Sequence, residues 1–238
     1  MPRTPAPPRA KSPRTASPRA IGDPGGSARR AAPGPAPRYH HGDLRAALLR
    51  AAEDELVERG ADGFSLRGVA RRVGVSHAAP AHHFADTGAL LAALAAEGFR
   101  RFLATQRARQ ARAAADPRAQ LLAAGAGYIE FAASHPALFR LMFASDRPHR
   151  DDPDLTQAAC AAFDHLAVCV AATGAPGTPP ARADLVAAWA MAHGLADLMN
   201  AGQFDALLPA EGRDAAIAAI LGRAIPPAAP QPSADGKR

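Results

Sequence analysis

Apolar residues recur every three to four positions through most of this chain, and each run is closed by a recognisable stop. Leu44, Leu48, Ala52 and Leu56, widened by Leu49, form one stripe of an amphipathic helix over Asp43–Arg59, which Gly60 ends. Leu66, Val69, Ala70 and Val73 form a shorter stripe. Ser65 precedes it as an N-cap. Gly74 follows it, where a left-handed residue past a helix end favours glycine. A third helix is predicted over His77–Phe84, capped by Ser76. Asp86 or Thr87 then opens a long helix carrying Leu90, Leu91, Leu94, Phe99, Phe102 and Leu103, extending to about Ala115.

The second half repeats this punctuation. Asp116 caps a helix that starts at Pro117, because the first helical position needs no N–H, and His135-Pro136 ends it after Ser134. The strongly apolar segment Pro136–Ala144 comes next, then a polar loop, Asp146–Pro153, and a helix over Asp154–Ala172. The loop Thr173–Pro180 leads to a helix over Ala181–Asn200, with Leu185, Trp189, Ala192, Ala196 and Met199 on one stripe, and a last helix spans about Ala210–Ala224. No period-two run of β-branched residues competes. The expected fold class is all-α: a three-helix helix-turn-helix module followed by a larger helical domain.

Composition sharpens this picture. Hydrophobic content of 48% supports a sizeable core, while 5% aromatic content points to a largely aliphatic one. No run of 18 purely apolar residues is present, so no membrane-crossing helix is expected. The N-terminus lacks the apolar stretch of a secretory signal. Cys160 and Cys169 sit about half a helical turn out of phase on one predicted helix and cannot pair within it. Two free thiols without metal spacing suggest a reducing, cytoplasmic setting.

The net charge of +6 is unevenly held. Residues 1–38 carry Arg3, Arg9, Lys11, Arg14, Arg19, Arg29, Arg30 and Arg38 against Asp23 alone, which leaves the rest slightly acidic. This Pro/Ala/Ser-rich stretch shows no apolar periodicity and is expected to be a disordered basic tail. It reads either as a solvated extension or as an arm adding non-specific attraction to phosphates. Residues 225–238 form a second, Pro/Ala-rich tail, expected to be disordered. Between them lie a helical module over 39–87 and a larger helical domain over 88–224.

A helix, a glycine turn and a second helix are the grammar of a unit whose second helix enters the DNA major groove. On that helix His77, Ala78, Ala81 and His82 are the groove-facing candidates. Imidazoles can bond guanine N7 or O6, and alanine methyls can meet thymine methyls. Ala79 and Phe84 are expected to face the core. Arg67, Arg71 and Arg72 are candidate phosphate contacts, as are Tyr39, His40, His41 and Arg45 at the start of the first helix. Ser65 and Ser76, which head the two short helices, complete the candidates on this side.

The wording of the motif is more specific than its spacing. Ser65-Leu66-x-x-Val69-Ala70-x-x-Val73-Gly74-Val75-Ser76, with His83-Phe84 and Leu90, closely resembles the DNA-binding domain of TetR-family transcriptional regulators, over roughly residues 40–105. The resemblance places His83 at a position that commonly touches phosphate. It also shows two departures: the family usually has Tyr where this chain has Ala81, and Lys or Arg where it has Thr87. Each loss removes a phosphate contact and implies weaker intrinsic DNA affinity. Downstream, His135-Pro136-Ala-Leu-Phe139-Arg-Leu-Met142-Phe143 and Trp189-x-x-x-His193-Gly194 resemble the subgroup of these regulators with a WHG-type C-terminal domain.

Trp189 and His193 share a helix face. With Phe131, Phe139, Met142 and Phe163 they either line a pocket for a small, mainly apolar effector, with His193 as the polar anchor, or form ordinary core. The resemblance implies a homodimer through helices 181–200 and 210–224, a palindromic double-stranded operator, and most often repression. No metal or other cofactor is expected: adjacent histidines on a helix diverge by about 100°, and no carboxylate or thiol completes a site. Two other classes remain open. One is a helical enzyme acting on an apolar substrate, against which no nucleophile–base pairing stands out. The other is a ligand-binding or interaction module with a weakened DNA reader.

Overall fold

The computed structural model describes residues 41–207 and 211–223. Those residues form eight α-helices and one 3-10 turn, with no strand among them. Both expected tails lie outside the described residues.

Helix α1 (His41–Gly63) buries Leu48, Ala52 and Leu56. It is interrupted at Gly60, whose φ of 66° breaks the helical run before a final turn. Helix α2 (Leu66–Val73) starts where Ser65 Oγ accepts the Gly68 N–H at 3.1 Å. It stops at Gly74, whose φ of 77° lies in the left-handed region. The N–H groups of Val75 and Gly74 close the end onto the carbonyls of Ala70 and Arg71 at 3.1 and 3.2 Å, the paired bonds of a Schellman motif.

The third helix departs from expectation. Instead of a helix over His77–Phe84 there is a four-residue 3-10 turn, Ala79–His82. Ser76 caps nothing through its side chain. Its carbonyl accepts the Ala79 N–H at 3.0 Å, and the next bonds run from Ala81 to Ala78 and from His83 to Pro80. Pro80 explains the tightening. It has no N–H to offer the Ser76 carbonyl, and it biases Ala79 away from the α region.

Helix α3 (Thr87–Gln110) is capped by Asp86, whose carboxylate accepts the Ala89 N–H at 2.9 Å, and it ends several residues short of Ala115. Helices α4 (Pro117–Ser134) and α5 (Pro136–Phe143) fall where the prolines placed them. Helix α6 (Pro153–Ala172) takes Asp152 as its cap, so it begins just before the expected Asp154. Helices α7 (Arg182–Asn200) and α8 (Arg213–Arg223) complete the fold, α8 starting later than expected.

The long α3 is the hub: α1, α4, α5 and α6 all pack on it. The aromatic residues are few, but they are concentrated here. Phe99, Phe102, Tyr128, Phe131, Phe139 and Phe143 meet in the centre, with Phe102 edge-on to Tyr128 at 4.8 Å and to Phe131 at 5.5 Å. The expected aliphatic core is therefore aromatic at its middle. Helix α6 has 20 residues and a mean hydropathy of 1.4, long and apolar enough to cross a membrane by length and composition. In this fold it packs on α3, α4 and α7, with Leu155, Ala158, Ala162 and Val170 buried.

Candidate functional site

The reader is built from α2 and the 3-10 turn. Pro80 and Phe84 are buried, which anchors the turn, and the Arg45 guanidinium lies 5.4 Å from the Phe84 ring centroid. His77, Ala78, Ala81 and His82 are exposed, as is Ser76. Ala79, His83 and Thr87 are half-buried. Arg67 and Arg71 are exposed and make no ion pair among the described residues. Tyr39 and His40 lie outside the described residues, and only the backbone of His41 is described.

Arg72 behaves differently from its neighbours. Its Nε donates to Glu55 Oε2 at 2.7 Å, and its guanidinium also bonds Glu58. Glu55 is only 2% exposed and lies against the Cα of Gly68, where no side chain would fit. These contacts hold the Glu58 carboxyl below its ordinary pKa, first through the hydrogen bond and then through the charge of Arg72. Arg72 thus clamps α2 to α1, which corrects its reading as a phosphate contact.

A cavity of about 520 Å³ opens between α3, α4, α6 and α7, with Leu221 of α8 on its wall. Of the six expected ligand-binding residues, Met142, Phe163 and Trp189 line it. Phe131 and Phe139 are packed into the core instead. His193 is not on the lining: its Nδ1 is 2.6 Å from the Tyr128 hydroxyl and its Nε2 is 3.3 Å from Asp197. Its ring packs against Tyr128, Phe139 and Phe143 and stays half-buried. Burial pushes the Tyr128 phenol above its ordinary pKa, so it stays neutral. The polar lining residues are Gln106, Tyr128, Arg150, Cys160 and Asp164. Sequence reasoning missed Gln106, although a signal existed: it falls at the next position of the Phe99–Phe102 stripe, where an apolar residue belongs.

The α5–α6 loop runs from the cavity to the start of α3. Arg150 lines the cavity and donates to the Met142 carbonyl at 2.9 Å and to the Ser145 carbonyl. The adjacent His149 docks on the start of α3. Its N–H reaches the Gly88 carbonyl at 3.3 Å, its Nε2 lies 3.3 Å from the Asp86 carboxylate, and its ring covers the Gly88 Cα. Asp86 follows the reader turn by four residues. Among the described residues, no group of three or more His, Cys, Asp or Glu side chains could hold a metal ion.

Residues 48–94 match the family described as "Bacterial regulatory proteins, tetR family", and residues 121–223 match "Tetracyclin repressor-like, C-terminal domain". Trp189, His193 and Gly194 fall inside the second match. No curated protein matches the chain. A solved structure of a protein with unknown function from Rhodococcus sp. RHA1 is 36% identical, with a TM-score of 0.67 over 80% of this chain and 99% of that one. A transcriptional regulator from the same Rhodococcus strain is 26% identical, with a TM-score of 0.55 over 75% and 94%. The fatty acid degradation regulator FadR from Bacillus halodurans shares the fold, at 15% identity and a TM-score of 0.57 over 79% and 97%.

Proposed function

Because the chain belongs to the TetR family of DNA-binding transcriptional regulators, we propose that it is a ligand-responsive homodimeric repressor that binds a palindromic operator in the cytoplasm. Residues 39–87 are the DNA-binding domain and 88–224 the effector and dimerisation domain. The observation that carries this reading is the reader itself: four exposed side chains on and just before a turn anchored from beneath, next to two arginines on α2 that make no ion pair among the described residues. His77 and His82 are available to base edges, and Arg67 and Arg71 to phosphates that fix orientation.

Doubling this small footprint calls for a second copy. Helices α7 and α8 carry an exposed face of small and apolar residues, with Val186, Ala187, Ala190 and Leu198 on α7 and Ala215, Ala218 and Ala219 on α8. A side chain added at Gly194 would meet nothing in its own chain, so no helix of the same protomer uses that gap. Such a face suits close two-fold packing of four helices.

The α5–α6 loop supplies the route for a response. An effector that displaces Arg150 moves His149 and with it the start of α3, four residues from the reader. The effector shifts the equilibrium only by its differential affinity for the two arrangements.

A gel shift with the full chain and DNA upstream of its own gene, at two salt concentrations against scrambled competitor, tests the reading. The expected complex resists the competitor and weakens with salt. Deleting residues 1–36 is expected to weaken it and flatten the salt slope, because the basic arm compensates for Ala81 and Thr87. Unchanged affinity after the deletion contradicts that compensation.

A further inference from the structure

Gln106 is 6% exposed and lies on the cavity wall, yet its side-chain amide makes no hydrogen bond to any described residue. Among the described residues His135 Nδ1 is the fully enclosed side-chain polar atom without a partner; the Gln106 amide is not fully enclosed, so its unbonded atoms face accessible space. The neighbouring cases show the ordinary pattern. Gln110, one turn along α3, donates to the Gln120 carbonyl at 3.3 Å and also reaches Cys169 Sγ. Glu55, the other buried polar residue, is paired with Arg72. The Tyr128 hydroxyl on the cavity wall is already engaged by His193. Gln106 alone among these offers both a free donor and a free acceptor to whatever enters the cavity.

The surroundings define what it would accept. Phe99, Phe102 and Tyr128 flank it, and burial keeps the Tyr128 phenol neutral. The charged lining residues, Arg150 and Asp164, are both exposed and of opposite sign, so the lining carries no net formal charge. No cation bonds Gln106 among the described residues, and the Arg150 guanidinium is engaged by the Met142 and Ser145 carbonyls, so a carboxylate beside the amide would lack a dedicated ionic partner. We propose that the effector is an uncharged, mainly aromatic or alicyclic molecule with one neutral hydrogen-bonding group, a carbonyl, amide or hydroxyl, which pairs with the Gln106 amide. The inference rests on the reading of this cavity as the effector site.

Trp189 is the chain's single tryptophan and lines the cavity, so its fluorescence reports occupancy. Three near-isosteric probes separate the possibilities in the full-length protein: 4-phenyl-2-butanone, isopentylbenzene and 3-phenylpropanoate. The wild type is expected to bind the ketone about 3- to 10-fold tighter than the hydrocarbon, the worth of one hydrogen bond, and the carboxylate weakest. Gln106→Met, close in volume, should lose that preference and bind the hydrocarbon at least as tightly as the ketone, whose carbonyl would then be buried without a partner. It should also melt no lower than wild type without any probe, since it removes an unbonded amide. A lower melting temperature would show the amide already engaged within the protein and would overturn the inference. So would equal wild-type affinity for ketone and hydrocarbon, which leaves the cavity as a binding site without this anchor, and so would tightest binding of the carboxylate. No change in Trp189 fluorescence with any probe, up to its solubility, would instead remove the effector-site reading and the inference with it.

Discussion

His165 on α6 shows how one residue sets a measurable property. Burial first, and the charge of Arg107 second, hold its imidazole below the ordinary pKa of 6.5. The folded protein therefore binds this proton more weakly than the unfolded chain. The contribution is neutral above about pH 6.5 and becomes a penalty as pH falls through that value, levelling off below the folded pKa. Denaturant midpoints are expected to drop between about pH 7.5 and about pH 5, and His165→Gln should reduce the drop. An undiminished drop in the variant would assign the acid sensitivity elsewhere. Beside it, burial raises the Cys169 thiol above its ordinary pKa, which makes Cys169 a poor nucleophile. Local signals were the legible ones at this scale. Ser65, Asp86 and Asp116 cap helices because each side-chain oxygen accepts from a backbone N–H three residues further on. The partner of His193 was not legible, because Tyr128 stands on another helix 65 residues away.

At the scale of elements, the α5–α6 loop is the proposed link between cavity and reader. The ring of His149 fills the space above Gly88, so a methyl group there would displace it. The ring is the exposed end of a side chain, and exposed ion pairs contribute about 0–1 kcal/mol. Replacing glycine inside a helix with alanine gains about 1 kcal/mol. Gly88→Ala is therefore expected to leave stability within about 1 kcal/mol of wild type while freeing the α5–α6 loop. Hydrogen exchange is the check. In wild type, saturating the cavity with 4-phenyl-2-butanone should change exchange at Thr87–Leu90, and in the variant the change should stay within the loop. An unaltered response in the variant would exclude His149 as the link. At this scale the sequence was read well at Asp116-Pro117, where the proline follows a cap, whereas the same arrangement at Asp152-Pro153 reads from the pattern as the end of a loop. It was read badly at Pro80. A proline inside an apparent reader helix tightens it to a 3-10 turn, and the pattern of apolar positions is blind to that change.

For the molecule as a whole, the all-α class and the division into reader and helical body follow from periodicity and the motif around Gly74. What the pattern did not reveal is how the helices share residues. Phe131 and Phe139 were candidates for the cavity, but α3 and α4 claim them for the aromatic centre. Gln106 belongs to the cavity because α3, α4, α6 and α7 enclose it together, a property of the assembly rather than of any stretch. The charge is also a whole-chain matter: residues 1–38 sum to +7 while the rest of the chain is slightly acidic, a contrast that no single helix displays.

The most direct test of the central claim is selection of genomic DNA fragments by the purified full-length protein at physiological salt, run beside a His77→Ala, His82→Ala variant. The account predicts enrichment of one inverted repeat by the wild type, with half-sites spaced by about one helical turn, and loss of that enrichment in the variant. Enrichment of no sequence, or an enrichment that survives loss of both histidines, would contradict it.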